Sequence, residues 1–132
     1  MDIQQIHELF LQCHSVSIDT RKIQPKCLFV AIKGDRFDAN TFAQEALDKG
    51  ASYVIIDNSS FFIDERTILV DDSLTALQAL AKFHRAFLKL PIIAITGSNG
   101  KTTTKELIQV VLSKKFRTIA TIGNLNNHIG VP

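Results

Sequence analysis

An excess of charge of one sign is nearly missing from this 132-residue chain: 15 lysines and arginines stand against 13 aspartates and glutamates, a net of +2. No basic run gathers that small excess into a patch, so the charge pattern argues against nucleic acid as a partner. Cysteine is scarce, with only Cys13 and Cys27. Their spacing is not that of metal ligands and nothing suggests secretion, so the plain reading is two reduced thiols in the cytosol. Every apolar stretch is too short to span a bilayer. The first residues, Met1-Asp2-Ile3-Gln4-Gln5, lack the basic and unbroken apolar regions of a secretory signal. The expectation is a cytoplasmic protein without membrane insertion. Repeats and low-complexity segments are absent too. What is left, with 45% hydrophobic residues, has the composition of a soluble globular protein.

The pattern of apolar residues sets out the elements. Ile3, Ile6, Leu9 and Phe10 recur at helical spacing and predict an amphipathic helix over residues 2–12. Ser15-Val16-Ser17-Ile18 reads as a short edge strand, and Cys27-Leu28-Phe29-Val30-Ala31-Ile32 as a buried one. Lys33-Gly34-Asp35-Arg36 reads as a turn. A helix over 40–49 stops at Gly50. Ser52-Tyr53-Val54-Ile55-Ile56-Asp57 and Thr67-Ile68-Leu69-Val70 read as strands. Asp72 or Ser73 caps a helix over 73–89, with Leu77, Leu80, Ala81, His84 and Leu88 on one face. Pro91 ends that helix and starts a further strand. Residues 102–114 read as helix, and Arg117-Thr118-Ile119-Ala120 as strand. Phe10, Phe29, Phe83 and Phe87 are candidates for the core, as is His84. Phe61-Phe62 either plugs a sheet edge or meets another domain. His7 and His14 carry no signal.

The segment richest in chemistry is Ile92-Ile93-Ala94-Ile95-Thr96-Gly97-Ser98-Asn99-Gly100-Lys101-Thr102-Thr103-Thr104. An apolar run leads into a glycine-flanked turn, then Lys-Thr, then a helical pattern. This is the layout of a phosphate-binding loop. Glycines let several backbone N–H groups point at one anion, and the helix N-terminus adds partial positive charge. The loop Gly97, Ser98, Asn99, Gly100, Lys101, Thr102 and Thr103 would cradle ATP. Lys101 would reach the β- and γ-phosphates, and the Thr102 hydroxyl would ligate Mg²⁺. The general pattern has a glycine where this chain has Ile95, so the match is to a variant loop. A Gly-x-x-Gly-Lys-[Ser/Thr] match by chance in so short a chain is roughly a one-per-cent event.

Strands alternating with helices argue for α/β architecture with a largely parallel sheet. The break falls near residues 89–91. Residues 1–89 read as a small α/β domain of their own. Residues 90–132 read as the first strand–P-loop–helix–strand of an open α/β ATPase domain, with too few strands to bury its sheet. The expectation is a piece of a longer enzyme.

Three segments together resemble the Mur ligases of peptidoglycan synthesis. They are Asp19-Thr20-Arg21 with the run from Pro25 to Asp38, then the phosphate loop continued through Lys105-Glu106, and Gly123-Asn124-Leu125-Asn126-Asn127-His128-Ile129-Gly130-Val131-Pro132. The third segment favours the branch that adds D-alanyl-D-alanine over the one that adds the third peptide residue. The resemblance covers essentially the whole chain. It implies an ATP-dependent amide-bond ligase that joins D-alanyl-D-alanine to UDP-N-acetylmuramoyl-tripeptide through an acyl phosphate. It also implies three domains, of which this chain holds the UDP-substrate domain and the opening of the ATPase.

The resemblance places the UDP-sugar against Thr20, Arg21 and the loop of Gly34, Asp35, Asp38 and Asn40. Thr20 can donate to a phosphate or uracil oxygen, and Arg21 can pair with a diphosphate. The plainer alternative for Arg21 is a local ion pair with Asp19. For the loop it is a turn held by aspartate side chains. Many relatives have Gly-His where this chain has Ala39-Asn40; asparagine hydrogen-bonds but neither stacks nor titrates like histidine. Asn124, Asn126 and Asn127 suit a loop that binds a polar ligand, and in the family that region lies near the reacting groups. Their alternative is a turn motif. A reading of another class is a P-loop kinase or regulatory NTPase with an N-terminal ligand-sensing domain. The Asp19-Thr20-Arg21 and Asn-rich segments count against it. By itself the piece reads as a UDP-sugar-binding module without turnover.

Overall fold

Two units divide the chain, Met1–Leu88 and Lys89–Pro132. In this computed structural model residues 1–34, 37–123 and 127–131 are described. The site candidates Asp35, Asn124 and Asn126 lie outside them.

In the first unit, helix α1 (Ile3–Phe10) opens on a capping box. Asp2 Oδ1 accepts from the Gln5 N–H at 2.9 Å, and Gln5 Oε1 accepts from the Asp2 N–H at 3.0 Å. Strands β1 (Ser15–Ser17) and β2 (Cys27–Val30) follow. Strands β3 (Lys33–Gly34) and β4 (Phe37–Asp38) pair antiparallel as a small hairpin, with Lys33 opposite Asp38 and Gly34 opposite Phe37. Lys33 and Gly34 of the expected turn thus lie in a strand. A 3₁₀ turn (Ala39–Phe42) leads into helix α2 (Ala43–Asp48), and Gly50 at φ +102° takes the left-handed conformation past its end. Strands β5 (Tyr53–Ile56) and β6 (Thr67–Leu69) precede helix α3 (Ser73–Leu88).

The main sheet runs β1-β2-β5-β6, all parallel. Every residue of β2 is buried, because both faces of the sheet are covered. Alternation sorts the side chains. Cys27 and Phe29 join Ala43, Ala46 and Leu47 of α2 in one core layer. Leu28 and Val30 join Ile6 of α1 and Leu77 and Leu80 of α3 in the other. Phe10 packs on this second layer, but Phe87, expected in the core, is 57% exposed. It lies in the last turn of α3, where its ring meets those of His7 and His84.

In the second unit, helix α4 (Lys101–Leu112) forms as its periodicity demands. Neither 92–96 nor 117–120 is a strand, contrary to the expectation from their apolar runs. A strand exists through its ladder, and among the described residues these segments have no strand to pair with. For the same reason no residue of α4 is buried, and Leu107, Val110 and Val111 stand exposed.

Candidate functional site

Open parallel sheets bind ligands beyond the carboxyl ends of their strands. The chain leaves β1 at that end and passes into Ile18, Asp19, Thr20 and Arg21, which line a cleft of about 650 Å³. Phe37 of β4, with Ala39 and Phe42 of the 3₁₀ turn, lines it as well. Its size suits a ligand of nucleotide dimensions.

Asp19 organises one wall. Its carboxylate accepts from the Arg21 N–H at 2.9 Å, capping a 3₁₀ turn over Thr20–Lys22. It also takes Arg21 Nε at 2.9 Å and Nη2 at 2.7 Å. These hydrogen bonds from Arg21 hold its carboxyl well below the usual carboxylate range. The local ion pair therefore forms. It does not exhaust Arg21: the side chain is 86% exposed, and a guanidinium carries five N–H donors. The Thr20 carbonyl accepts from Lys49 Nζ at 3.0 Å, and Lys49 pairs with Glu45 at 2.6 Å. The turn is thereby tied to α2. Neither Lys49 nor Glu45 announced itself in the sequence, since their partner Thr20 is 29 residues from Lys49.

Asn40 does something the sequence did not show. It is fully buried. Its Nδ2 donates to Asp38 Oδ1 and to Asp57 Oδ1, both at 2.7 Å, and its Oδ1 accepts from the Asp57 N–H at 3.0 Å. Asp57 in turn accepts from the Ser73 N–H at 3.1 Å. One amide thus joins the loop after β4 to the end of β5 and the start of α3. Both amide donors and the oxygen are engaged within the fold, so Asn40 holds the cleft wall rather than facing a ligand. Asp38 is the wall's other anchor, its carboxyl lowered chiefly by the Asn40 side chain. Gly34 is exposed in the hairpin.

The second unit holds the phosphate loop. Gly97 and Gly100 both have positive φ, +149° and +75°. Gly100 is the left-handed residue at which α4 begins. Lys101 Nζ donates to the Gly97 carbonyl at 2.5 Å, closing the loop on itself. Thr102 and Thr103 are exposed on the first turn of α4, where N–H groups lack intrahelical partners. Lys105, one turn on, donates to the carbonyls of Thr121 at 2.5 Å and Gly123 at 2.9 Å. It fastens the start of the Asn-rich segment to α4. Asn127 Oδ1 accepts from the N–H groups of Ile129 and Gly130 at 3.1 and 2.7 Å, which is the turn arrangement. Among the described residues no three His, Cys, Asp or Glu side chains gather to hold a metal, and no helix is long and apolar enough to cross a membrane.

Family models match both units: the Mur ligase middle domain over residues 95–132, and the model described as the Mur ligase family, catalytic domain, over residues 12–85. The chain is similar to the UDP-N-acetylmuramoyl-tripeptide–D-alanyl-D-alanine ligase of Bacillus subtilis, 48% identical over 121 residues, or 90% of this chain and 26% of that protein. It is similar to the Escherichia coli ligase of the same name, 44% identical over 118 residues, 89% of this chain and 26% of that protein. Among solved structures it resembles MurF from Acinetobacter baumannii, with TM-score 0.79 and 33% identity, covering 98% of this chain and 31% of that one. It also resembles the MurF ligase of Thermotoga maritima in complex with ADP, with TM-score 0.79 and 33% identity, covering 92% of this chain and 28% of that one. The chain spans about a quarter of the length of the curated relatives it matches.

Proposed function

The chain belongs to the Mur ligase family, and from that premise we propose that it is the substrate domain and the opening of the ATPase domain of a ligase that adds D-alanyl-D-alanine to UDP-N-acetylmuramoyl-tripeptide. In the proposed reaction a carboxylate oxygen of the tripeptide bonds to the γ-phosphorus of ATP, and ADP leaves. The amine of D-alanyl-D-alanine then bonds to the acyl carbon, phosphate leaves, and the nitrogen gives up its proton.

The observation that carries this reading is the loop over residues 97–101. Its positive-φ glycines lead into the start of α4, whose first N–H groups lack intrahelical partners, and Lys101 folds back onto the Gly97 carbonyl. Phosphoryl transfer needs little else from a protein than such charge, held in place. Lys101 would exchange the Gly97 carbonyl for phosphate oxygens. Thr102 is the residue that would hold Mg²⁺. A single protein hydroxyl fits, because Mg²⁺ keeps water and phosphate oxygens as most of its ligands. The ion, when bound, supplies neutralising charge at the phosphates. In the first unit, Thr20 and the open donors of Arg21 would bind the UDP moiety, with Asp38 and Asn40 fixing the wall. The free thiols and the nucleotide substrates support the cytoplasm as the compartment. A kinase or regulatory NTPase is not favoured, since the relatives bear ligase names.

Calorimetric titration of the chain with UDP-N-acetylmuramoyl-tripeptide, beside ATP·Mg²⁺, tests the reading. Binding of the UDP-peptide supports it. ATP binding with no UDP-peptide binding would favour a generic P-loop NTPase instead.

A further inference from the structure

The cleft in the first unit has one feature that neither Thr20 nor Arg21 accounts for. Phe37 and Phe42 stack there, ring centroids 5.3 Å apart and planes 20° from parallel. The two rings differ in burial. Phe42 is half-buried, whereas Phe37 is 57% exposed. The stack therefore has an inner ring and an outer ring that faces the solvent of the cleft. Phe37 sits opposite Gly34 in the β3–β4 hairpin, and Phe42 ends the 3₁₀ turn that Asn40 fastens to the sheet.

An exposed aromatic face is a platform for another planar ring, because offset stacking is favourable and every nucleobase has such a face. The Arg21 guanidinium lines the same cleft with donors to spare. A flat apolar surface and a cation in one cleft match the two ends of a nucleoside diphosphate. We infer that Phe37, backed by Phe42, is the platform on which the base of the nucleoside diphosphate stacks. This rests on the reading of the cleft as the UDP site.

The chain contains no tryptophan, so Phe37→Trp installs a single indole at the platform, read by emission excited selectively at the indole. The test uses the 132-residue chain with Lys101→Ala, which removes the lysine of the phosphate loop. UDP and inorganic pyrophosphate are the probes, measured by calorimetry and by Trp emission. UDP is expected to quench and shift the emission of the Phe37→Trp chain. Phe37→Ala is expected to weaken UDP about tenfold or more while leaving pyrophosphate unchanged. Circular dichroism checks that both variants keep their fold, as substitution of an exposed side chain should allow. Equal UDP affinity in the parent and the Phe37→Ala chain, with silent Trp emission, would overturn the platform and leave the cleft as a UDP site. Absence of UDP binding by the parent would overturn the nucleotide reading and the platform with it.

Discussion

His7 Nε2 and His84 Nδ1 lie 3.0 Å apart, joining α1 to α3 across 77 residues of sequence. His7 is buried, and the rings of Phe83 and Phe87 stand about it with centroids 4.9 and 5.0 Å away. Such a bond needs one nitrogen to donate and the other to accept, so at least one ring is neutral in it.

The pair makes stability depend on pH. Burial, and next the proximity of His7, lower the pKa of His84 below its ordinary 6.5. A depressed histidine pKa means that the unfolded chain takes up the proton first as pH falls. The stability contributed is thus fully present above about pH 6.5 and is lost progressively as pH drops toward the folded pKa. Thermal melts from pH 7.5 to 5 should show a falling Tm, and His84→Gln should flatten that slope. An unchanged slope in the variant would place the pH dependence elsewhere.

Asn40 holds three segments through one amide. Asn40→Ala strips partners from two carboxylates and a backbone N–H and should cost about 3 kcal/mol in urea unfolding. Asn40→Asp sets a third carboxylate against Asp38 and Asp57, whose oxygens lie 2.7 Å from the native amide nitrogen. Its pKa is raised by those neighbours, so this variant should be destabilised at pH 7 and regain stability at pH 5. Equal losses at both pH values would refute the electrostatic account.

Asp72, not Ser73, caps α3: Asp72 Oδ1 accepts from the Thr75 N–H at 2.6 Å. Ser73 Oγ is buried without a hydrogen-bond partner among the described residues. Asp72→Ala should therefore cost about 1 kcal/mol. Ser73→Ala should leave the melting temperature unchanged or raise it, since an unpaired buried hydroxyl is removed. A loss in Ser73→Ala comparable to that in Asp72→Ala would show that the hydroxyl is bonded after all.

Burial, and then the neighbouring Cys27, pushes the Cys13 thiol up to about 11, and burial raises that of Cys27. Thiolate is the reactive form. At pH 8 both thiols should react slowly with iodoacetamide and become rapid in urea. Fast alkylation of Cys27 in the folded chain would contradict the burial of β2.

On the proposed function, Lys101→Ala in the full-length protein should lower phosphate release by about a hundredfold or more, with the melting temperature held. Normal turnover would sink the role given to Lys101.

The phosphate loop was legible because it is local: Gly97, Gly100 and Lys101 set their geometry among themselves, and the helix after them follows from spacing. The run 27–32 reads as a buried strand because both its faces are apolar, and its first four residues, Cys27–Val30, form one. The run 92–96 reads the same way and forms no strand, because a ladder needs a neighbour that pattern does not supply. Phe87 reads as core because it is aromatic, although the end of α3 leaves it exposed.

The sequence by itself determined the α/β class, the alternation that sorts Phe29 from Leu28, and the glycine-lysine loop. These are consequences of periods of two and 3.6 residues and of backbone freedom at glycine. Only the tertiary structure decided that Asn40 meets Asp57, that His7 meets His84, and that Phe37 stacks on Phe42 over a cleft beside Arg21. Each of these joins side chains whose proximity depends on how the sheet and its loops are packed. A linear pattern records what a residue is and who follows it, whereas hydrogen bonds and ring contacts form only where the fold closes the distance.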